Sequence, residues 1–279
     1  MSTGTLHRLS AFTSDPRGGN PAGVWIGESL PDAASMQRIA AEVGYSETAF
    51  IAPAGGIERS VRYYSPEAEV PFCGHATIAS GVVLGETSGD ATYRLATKVG
   101  VVPVDVTLRD GQREASLTSV APRHVPVADE LLDRILAALC WRRSDLDPAI
   151  APAVAYAGAW HLVLAAASSD RLASLEYPFE TVKALMLAND LTTLQLVHRQ
   201  SDTVFLSRNP FPVGGVFEDP ATGASAAALG GYLRDAGLIA PPASILIRQG
   251  DAMGRPSRIH VRIPQSGGIV VSGTATRMP

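Results

Sequence analysis

The sequence has few of the residues from which metal-binding, disulfide-rich and pyridoxal-dependent proteins are built. Its only cysteines are Cys73 and Cys140, which do not form a CxxC pair, so neither a disulfide framework nor a structural zinc site is indicated. Its only lysines are Lys98 and Lys183, and neither lies in a setting that supports a pyridoxal Schiff base. The five histidines other than His75 show no metal-ligand spacing, and no HExxH, Walker or complete Rossmann motif is present.

Charge and long apolar runs are also scarce. Only 18% of the 279 residues are charged, and a net charge of −4 provides no basic surface for nucleic acid. The segment Met1–Phe12 lacks the continuous apolar run of a signal peptide, and the most apolar stretch, Ala153–Ala167, is too short to cross a bilayer. We therefore expect a cytoplasmic protein that binds a small molecule and neither a membrane nor nucleic acid.

The first half of the sequence is echoed in the second. Three segments return in the same order, at offsets near half the chain length, which favours a duplicated unit over chance similarity among alanine-rich helices. Gly19–Val24 resembles Gly158–Val163, and Ser46–Ile51 resembles Ser201–Leu206. In the strongest echo six residues recur 145 positions later: Ala76, Thr77, Ala79, Ser80, Leu84 and Gly85 match Ala221, Thr222, Ala224, Ser225, Leu229 and Gly230.

Apolar periodicity predicts an α/β (α+β) fold of two pseudo-symmetric domains, each a mixed curled sheet around a central apolar helix. The N-terminal half is 1–120, with 266–279 as a candidate to complete it, and the C-terminal half is 121–265. The proline-rich segment Pro122–Pro126 is predicted to be the linker. The predicted helices are Pro31–Val43, Ala76–Glu86, Asp129–Ala138, Phe179–Ala188 and Ala221–Asp235.

The two central helices begin with segments that suit an anion. At one start, Gly74 and His75 place backbone N–H groups outside the helix ladder, at the positive end of the helix dipole. At the other start, Gly223 and Ala224 do the same. Such groups hold a carboxylate and stabilise the charge of a carbanion or enolate. Small residues at one helix start are equally explained by tight packing, but two such starts suggest a shared substrate site.

Four polar side chains near these segments are candidates for chemistry. Glu47 precedes an apolar run, where desolvation favours the uncharged acid and suits proton transfer, although a solvated strand end is the commoner setting. His75 and Asp219 are predicted at equivalent places before the two helices; they either act on substrate or serve as a backbone-bonded histidine and an N-cap. Asn20 is a secondary candidate, because Asn between Gly and Pro is primarily a turn signal.

Four motifs occur in order along nearly the whole chain. They are Gly19 to Pro21, Glu47 to Phe50, Cys73 to Thr77 and Glu218 to Gly223. Together they resemble the PhzF phenazine-biosynthesis family, whose fold is similar to that of diaminopimelate epimerase. The resemblance implies an active site in the cleft between two pseudo-symmetric domains, no cofactor, and commonly a homodimer. In that family the Glu matching Glu47 shuttles the proton, and the positions matching His75 and Asp219 line the site.

The sequence departs from the family pattern at Ala224, where the family usually has Ser. The backbone N–H remains, but a hydroxyl contact with substrate is lost. Diaminopimelate epimerase uses two thiols, one from each half, whereas here the second half has no cysteine at its helix start. Because Cys140 lies in a predicted helix, a symmetric two-thiol racemase is disfavoured, and Cys73 is predicted to be a small buried residue.

We interpret the chain as a cofactor-independent isomerase that shifts a proton within a small carboxylate or amino-acid-like substrate, as the resemblance to a family of phenazine and antibiotic biosynthesis implies. One carboxylate, Glu47, suits transfer between two carbons on the same face of the substrate. The first alternative is an amino-acid epimerase or racemase in which Asp219 or His75 is a second base. The second is a non-catalytic protein that binds a carboxylate at the two helix starts.

Overall fold

The segment around Ala76 forms a helix that is enclosed on all sides, as its uniformly apolar composition predicts. In the computed structural model, which describes residues 3–279, this helix spans Gly74–Ser88 and is buried from its second residue to Gly85. A second helix of the same kind spans Gly223–Asp235. Each helix is the centre of one compact unit. Among the described residues, no helix is both long and apolar enough to cross a membrane.

The first unit extends to Thr118, and Ser272–Pro279 returns to it from the end of the chain. Its outer helix starts at the N-cap Asp32, whose side chain accepts a hydrogen bond from the Ser35 amide, and ends at Gly44 in the left-handed conformation (φ 71°). The elements are β1 (Gly4–Ala11), β2 (Asn20–Gly27), α1 (Ala33–Val43), β3 (Glu47–Gly55), β4 (Glu58–Tyr64), β5 (Glu69–Val70), α2 (Gly74–Ser88), β6 (Thr92–Thr97), β7 (Gly100–Arg109) and β8 (Gln112–Thr118).

The second unit is Ser119–Val271. Its elements are β9 (Arg123–Pro126), α3 (Asp129–Ala138), β10 (Ala153–Tyr156), β11 (Trp160–Ala165), α4 (Ser169–Ala173), α5 (Phe179–Leu187), β12 (Thr193–Arg199), β13 (Val204–Phe211), β14 (Val216–Asp219), α6 (Gly223–Asp235), β15 (Ala243–Gln249) and β16 (Ser257–Ile263). The last strand, β17 (Val270–Arg277), belongs to the first unit from Ser272 onward and pairs there with β1.

Strand pairing repeats in the same order in both units. In the first unit β1 pairs antiparallel with β2, β2 parallel with β3, β3 antiparallel with β4, and β4 parallel with β6, which turns back into β7. In the second unit β10, β11, β12, β13, β15 and β16 follow the same sequence of antiparallel and parallel pairs. The predicted fold class is confirmed: each unit is a mixed sheet wrapped around one apolar helix.

Two of the three sequence echoes fall on counterpart elements. The segments at Gly19 and Gly158 lead into β2 and β11, and the strongest echo covers α2 and α6. The third echo is wrong, because Glu47 begins β3 whereas Thr203 leads into β13, which has the pairing of β4. The prediction that Pro122–Pro126 is a linker is also wrong, since residues 123–126 form β9 and pair with β10.

The glycines that face the surrounding strands show which residues of α2 and α6 are structurally equivalent. A Cβ atom on Gly81 would lie 2.7 Å from Ala115 Cβ, and one on Gly230 would lie 3.0 Å from Val261 Cγ1. Both glycines therefore permit strands to approach the helix closely, which offsets their unfavourable helix propensity. Counted from the helix starts, Gly81 corresponds to Gly230, one turn away from the match by sequence identity. Alanine-rich helices that are buried all round look alike after a shift of one turn.

Candidate active site

A cluster of three reactive side chains lies where β3 and α2 begin. Glu47 is the first residue of β3, and Cys73 and His75 flank the first residue of α2. The Cys73 thiol lies 3.4 Å from Glu47 Oε2, and His75 Nε2 lies 3.4 Å from the same oxygen. The carboxylate side chain is 21% exposed and the imidazole 9%, so the acid is the more accessible member of the cluster. These contacts place a proton donor and acceptor beside each other in partly desolvated surroundings.

The His75 ring is held from both of its nitrogen atoms. Asn20 Nδ2 lies 3.4 Å from His75 Nδ1, and Ser46 Oγ lies 3.3 Å from Nε2. Because an amide NH2 group is only a donor, this arrangement makes Nδ1 the acceptor and leaves the proton on Nε2, facing Glu47. Asn20, a secondary candidate by sequence, therefore positions His75 in this structure. Its place at the first residue of β2 follows from the preceding turn, in which Gly19 has φ 68°.

The start of α2 presents backbone N–H groups near this cluster. Thr77 is the first residue whose amide bonds back into the helix, to the carbonyl of Cys73 at 3.0 Å. The N-cap Cys73 makes no side-chain capping bond within the described chain. A Cβ atom on Gly74 would meet no heavy atom within 4 Å, so the space beside this residue is open. The geometry is suited to a carboxylate or an enolate oxygen at the positive end of the helix.

In the second unit, Asp219 is held by the turn that leads into α6. Thr222 Oγ1 donates to Asp219 Oδ2 at 2.5 Å, and Gln249 Nε2 donates to the Asp219 carbonyl at 2.7 Å. Thr222 is the N-cap of α6, but its hydroxyl is directed to Asp219 instead of the helix amides. The prediction that His75 and Asp219 occupy equivalent places is wrong. His75 is the second residue of α2, whereas Asp219 ends β14, three residues before the cap of α6.

The first two residues of α6 are Gly223 and Ala224, and both are half-buried. The hydroxyl of the next residue, Ser225, does not replace the serine that is missing at Ala224. Ser225 is fully buried, accepts a hydrogen bond from Asn209 Nδ2 at 2.8 Å and donates to the Thr222 carbonyl at 3.0 Å. The start of α6 therefore offers backbone N–H groups and no hydroxyl at position 224.

Buried polar residues connect the start of α6 to β11, β12 and β13. Thr193 Oγ1 contacts His161 Nδ1 at 2.8 Å and accepts from Asn209 Nδ2 at 3.4 Å, and Asn209 also bonds Ser225. Complete burial lowers the pKa of His161 from 6.5 to about 3, because desolvation penalises the imidazolium. His161 Nε2 has no hydrogen-bond partner among residues 3–279. The network holds the first turn of α6 against the sheet.

The buried imidazole predicts a pH-dependent stability. Its pKa is lower in the folded than in the unfolded chain, so its contribution is fully present above pH 6.5 and is lost as the pH falls toward 3. Between pH 6.5 and 3, we expect His161 to lower the free energy of unfolding of the wild type by up to about 1.4 kcal/mol for each unit by which the pH falls. Urea unfolding from pH 7 to 4 should show that His161→Gln loses this slope. The exposed control His260→Gln should keep it; a variant His161→Gln with the wild-type slope would contradict the assignment.

A second prediction concerns Gln249, which is 1% exposed. Its amide also donates to Thr222 Oγ1 at 3.0 Å and accepts from the Thr222 N–H at 3.2 Å. Gln249→Met keeps the volume but leaves these groups unpaired, so the free energy of unfolding should fall by roughly 1–3 kcal/mol. Chemical denaturation measures the change, with the exposed Gln200→Met as the matched control. Equal effects of the two substitutions would show that Gln249 does not hold the turn.

Sequence reasoning missed three residues of these sites. Cys73 is buried, as expected, but it also contacts both Glu47 and His75. Ser46 and Gln249 lie in none of the four motifs. Ser46 contacts His75, 29 positions away, and Gln249 contacts Thr222, 27 positions away. The adjacency of Ser46 to Glu47 was the only local signal. Cys140 lies beyond the end of α3, not within it, and is exposed.

The sequence is similar to known isomerases along nearly its whole length. A family model described as "Phenazine biosynthesis-like protein" matches residues 9–278. An uncharacterized isomerase of Bacillus subtilis is 29% identical over 99% of this chain and 97% of its own length. The trans-2,3-dihydro-3-hydroxyanthranilate isomerase of Pseudomonas aeruginosa is 30% identical over 94% of this chain and 92% of its own length.

Solved structures have the same fold. A phenazine biosynthesis protein of the PhzF family from Bacillus anthracis superposes with a TM-score of 0.87, at 22% identity, over 100% of this chain and 98% of that one. A probable proline racemase from Agrobacterium radiobacter superposes with a TM-score of 0.66, at 13% identity, over 98% and 91%. The fold is therefore shared with racemases as well as with PhzF proteins.

Proposed function

Because the chain belongs to the phenazine biosynthesis-like (PhzF) family and is an isomerase of that type, we propose that it moves a proton within a small carboxylate or amino-acid-like substrate, with Glu47 as the general acid/base. The observation that carries the proposal is the contact of Glu47 Oε2 with both Cys73 Sγ and His75 Nε2, at 3.4 Å each. No cofactor takes part in the proposed reaction.

The substrate class follows from the groups around the acid. The open N–H groups at the start of α2 suit a substrate carboxylate, or the oxygen of an enolate formed when the proton leaves carbon. His75, with its proton on Nε2, is a hydrogen-bond donor to the same region. The relative from Pseudomonas aeruginosa is named for a substrate that is itself a ring amino acid. We propose an unsaturated or cyclic amino-acid derivative for this chain.

In the proposed reaction Glu47 removes a proton from carbon and returns it to a second carbon on the same face. One carboxylate can serve both positions because they are close together in a delocalised intermediate. Inversion at a single carbon needs a second group on the opposite face. We propose that Asp219 and the N–H groups of Gly223 and Ala224 orient the substrate. We also propose that the protein is a homodimer and acts in secondary metabolism.

Isotope exchange in deuterium oxide tests the reaction class. Unsaturated and cyclic amino acids are incubated with the protein and followed by NMR. A same-face shift yields a double-bond isomer, and a fraction of the product carries the substrate's own hydrogen, not solvent deuterium, at the new position. Incorporation of one solvent deuteron with inversion at a stereocentre would replace the proposal with an epimerase. Saturable binding of the same compounds without any exchange would identify a carboxylate-binding protein.

A further inference from the structure

The side chains of Glu47, Cys73 and His75 have a second chemical capacity, which is independent of proton transfer. Each offers one metal-ligand atom, and these atoms lie within 4.8 Å of one another. Sequence spacing conceals the group, because Glu47 is 26 residues away from Cys73. The fold brings together a thiol, an imidazole and a carboxylate, although these three residues do not form a recognised metal-binding sequence motif.

The distances match the edges of a tetrahedral coordination shell. Cys73 Sγ to Glu47 Oε2 and His75 Nε2 to Glu47 Oε2 are both 3.4 Å, and Cys73 Sγ to His75 Nε2 is 3.9 Å. Zinc bonds of 2.0–2.3 Å place neighbouring ligand atoms about 3.3–3.8 Å apart. Only small side-chain adjustments are therefore needed for all three atoms to contact one ion. Three protein ligands leave a fourth position open, as in zinc sites that bind exchangeable ligands.

The chemistry of the ligands selects the metal. Thiolate and imidazole favour Zn²⁺ and Co²⁺ over Mg²⁺ and Ca²⁺, which prefer oxygen ligands. Thiolate and carboxylate charges together balance a divalent cation. Coordination through Nε2 moves the imidazole proton to Nδ1, so the Asn20 amide, 3.4 Å from Nδ1, would turn its oxygen toward the ring to accept that proton and orient the histidine.

We propose that Glu47, Cys73 and His75 form a binding site for Zn²⁺ or a cation of the same class. Binding is a property of these three side chains alone. Its consequence, reversible inhibition, rests on the proposed function, because a coordinated Glu47 carboxylate and a coordinated imidazole are no longer available to a substrate proton.

Cobalt titration of the full-length, chelator-treated protein under reducing conditions tests the site. We expect one Co²⁺ per chain, a thiolate-to-cobalt charge-transfer band in the near ultraviolet, and its loss on addition of Zn²⁺. Cys73→Ser should abolish the band and weaken Zn²⁺ binding at least about 100-fold, since even groups that only support a ligand change affinity 10–100-fold. The matched control is Cys140→Ser, which removes the other, exposed cysteine and should retain both. A band that persists in Cys73→Ser, or no band at one equivalent, would overturn the proposal.

A measurement on the unmodified chain covers the case in which Cys73→Ser does not fold. Zn²⁺ should slow alkylation of Cys73 by iodoacetamide at least tenfold and leave the Cys140 rate unchanged, as read by peptide mass spectrometry. Equal protection of the two thiols, or none, would refute the site. Metal binding without inhibition would refute the role of Glu47 and leave the site intact. If the protein binds no metal but Glu47→Gln is inactive, the metal site would be refuted and the catalytic role of Glu47 would stand.

Discussion

Replacing Glu47 by Gln is expected to lower turnover by about 10² or more while substrate affinity changes little. Glutamine keeps the size and the hydrogen-bonding capacity of the side chain but cannot accept and return a proton. The 3.4 Å contacts to Cys73 and His75 remain geometrically available, so the cluster should keep its shape. Steady-state kinetics on the true substrate, together with a direct binding measurement, separates the two effects.

The exposed Glu42→Gln on α1 is the matched control and should leave turnover unchanged. His75→Gln and Asp219→Asn should impair the reaction through orientation and charge stabilisation, so each should keep more turnover than Glu47→Gln. A Glu47→Gln variant with near-normal turnover would exclude the mechanism. If His75→Gln or Asp219→Asn were the most damaging change, the acid/base role would move to that residue and the epimerase alternative would gain support.

Replacing Arg208 by Met is expected to produce the largest loss of stability, on the order of 3 kcal/mol. Arg208 and Glu218 form a two-pronged ion pair with contacts of 3.0 and 2.5 Å, and their side chains are only 13% and 2% exposed. Without the guanidinium, Glu218 would stay buried with its main counter-charge removed. Arg208 Nη1 also donates to the Ala173 carbonyl at 2.8 Å, and that bond would be lost as well. Urea denaturation at neutral pH measures the change.

Two controls identify the cause. Removing both charges, in Arg208→Met with Glu218→Leu, should recover most of the lost stability, since a buried ion pair is often replaceable by apolar groups of similar volume. The surface pair of Arg199 with Asp202, whose acid is 96% exposed, provides the second control. Arg199→Met should cost less than about 1 kcal/mol. Equal effects of Arg208→Met and Arg199→Met would show that the buried pair does not anchor β14.

Much of the fold could be predicted because its elements carry strong local patterns. The predicted range Asp129–Ala138 coincides with α3, whose apolar face repeats at helical spacing and packs on the second unit's core. Errors occurred where no local pattern exists. Residues 123–126 became a strand only because β10 offered an unpaired edge, and the register of α2 against α6 depended on which turn faces the surrounding strands.

The candidate residues were found for a different reason. Glu47 and His75 were singled out because they lie in motifs that resemble the PhzF family, and the family and the isomerase class are confirmed by the matches along the chain. Their contact with each other and with Cys73 could not be predicted. It depends on the end of one strand and the start of one helix meeting in space, which composition and periodicity do not encode.

The sequence by itself determined the duplicated arrangement of strands around two apolar helices, since a helix without a polar face must be enclosed. It also determined the family, through four short motifs that occur in order along this chain. Only the tertiary structure decided that Cys73 touches Glu47, that Ser225 turns inward to Asn209, and that Gln249 holds the turn of Asp219. These contacts join residues 16–30 positions apart. They arise where β3 meets α2 and where side chains of β13 and β15 reach the start of α6, so the physical information lies in long-range packing and not in the local pattern.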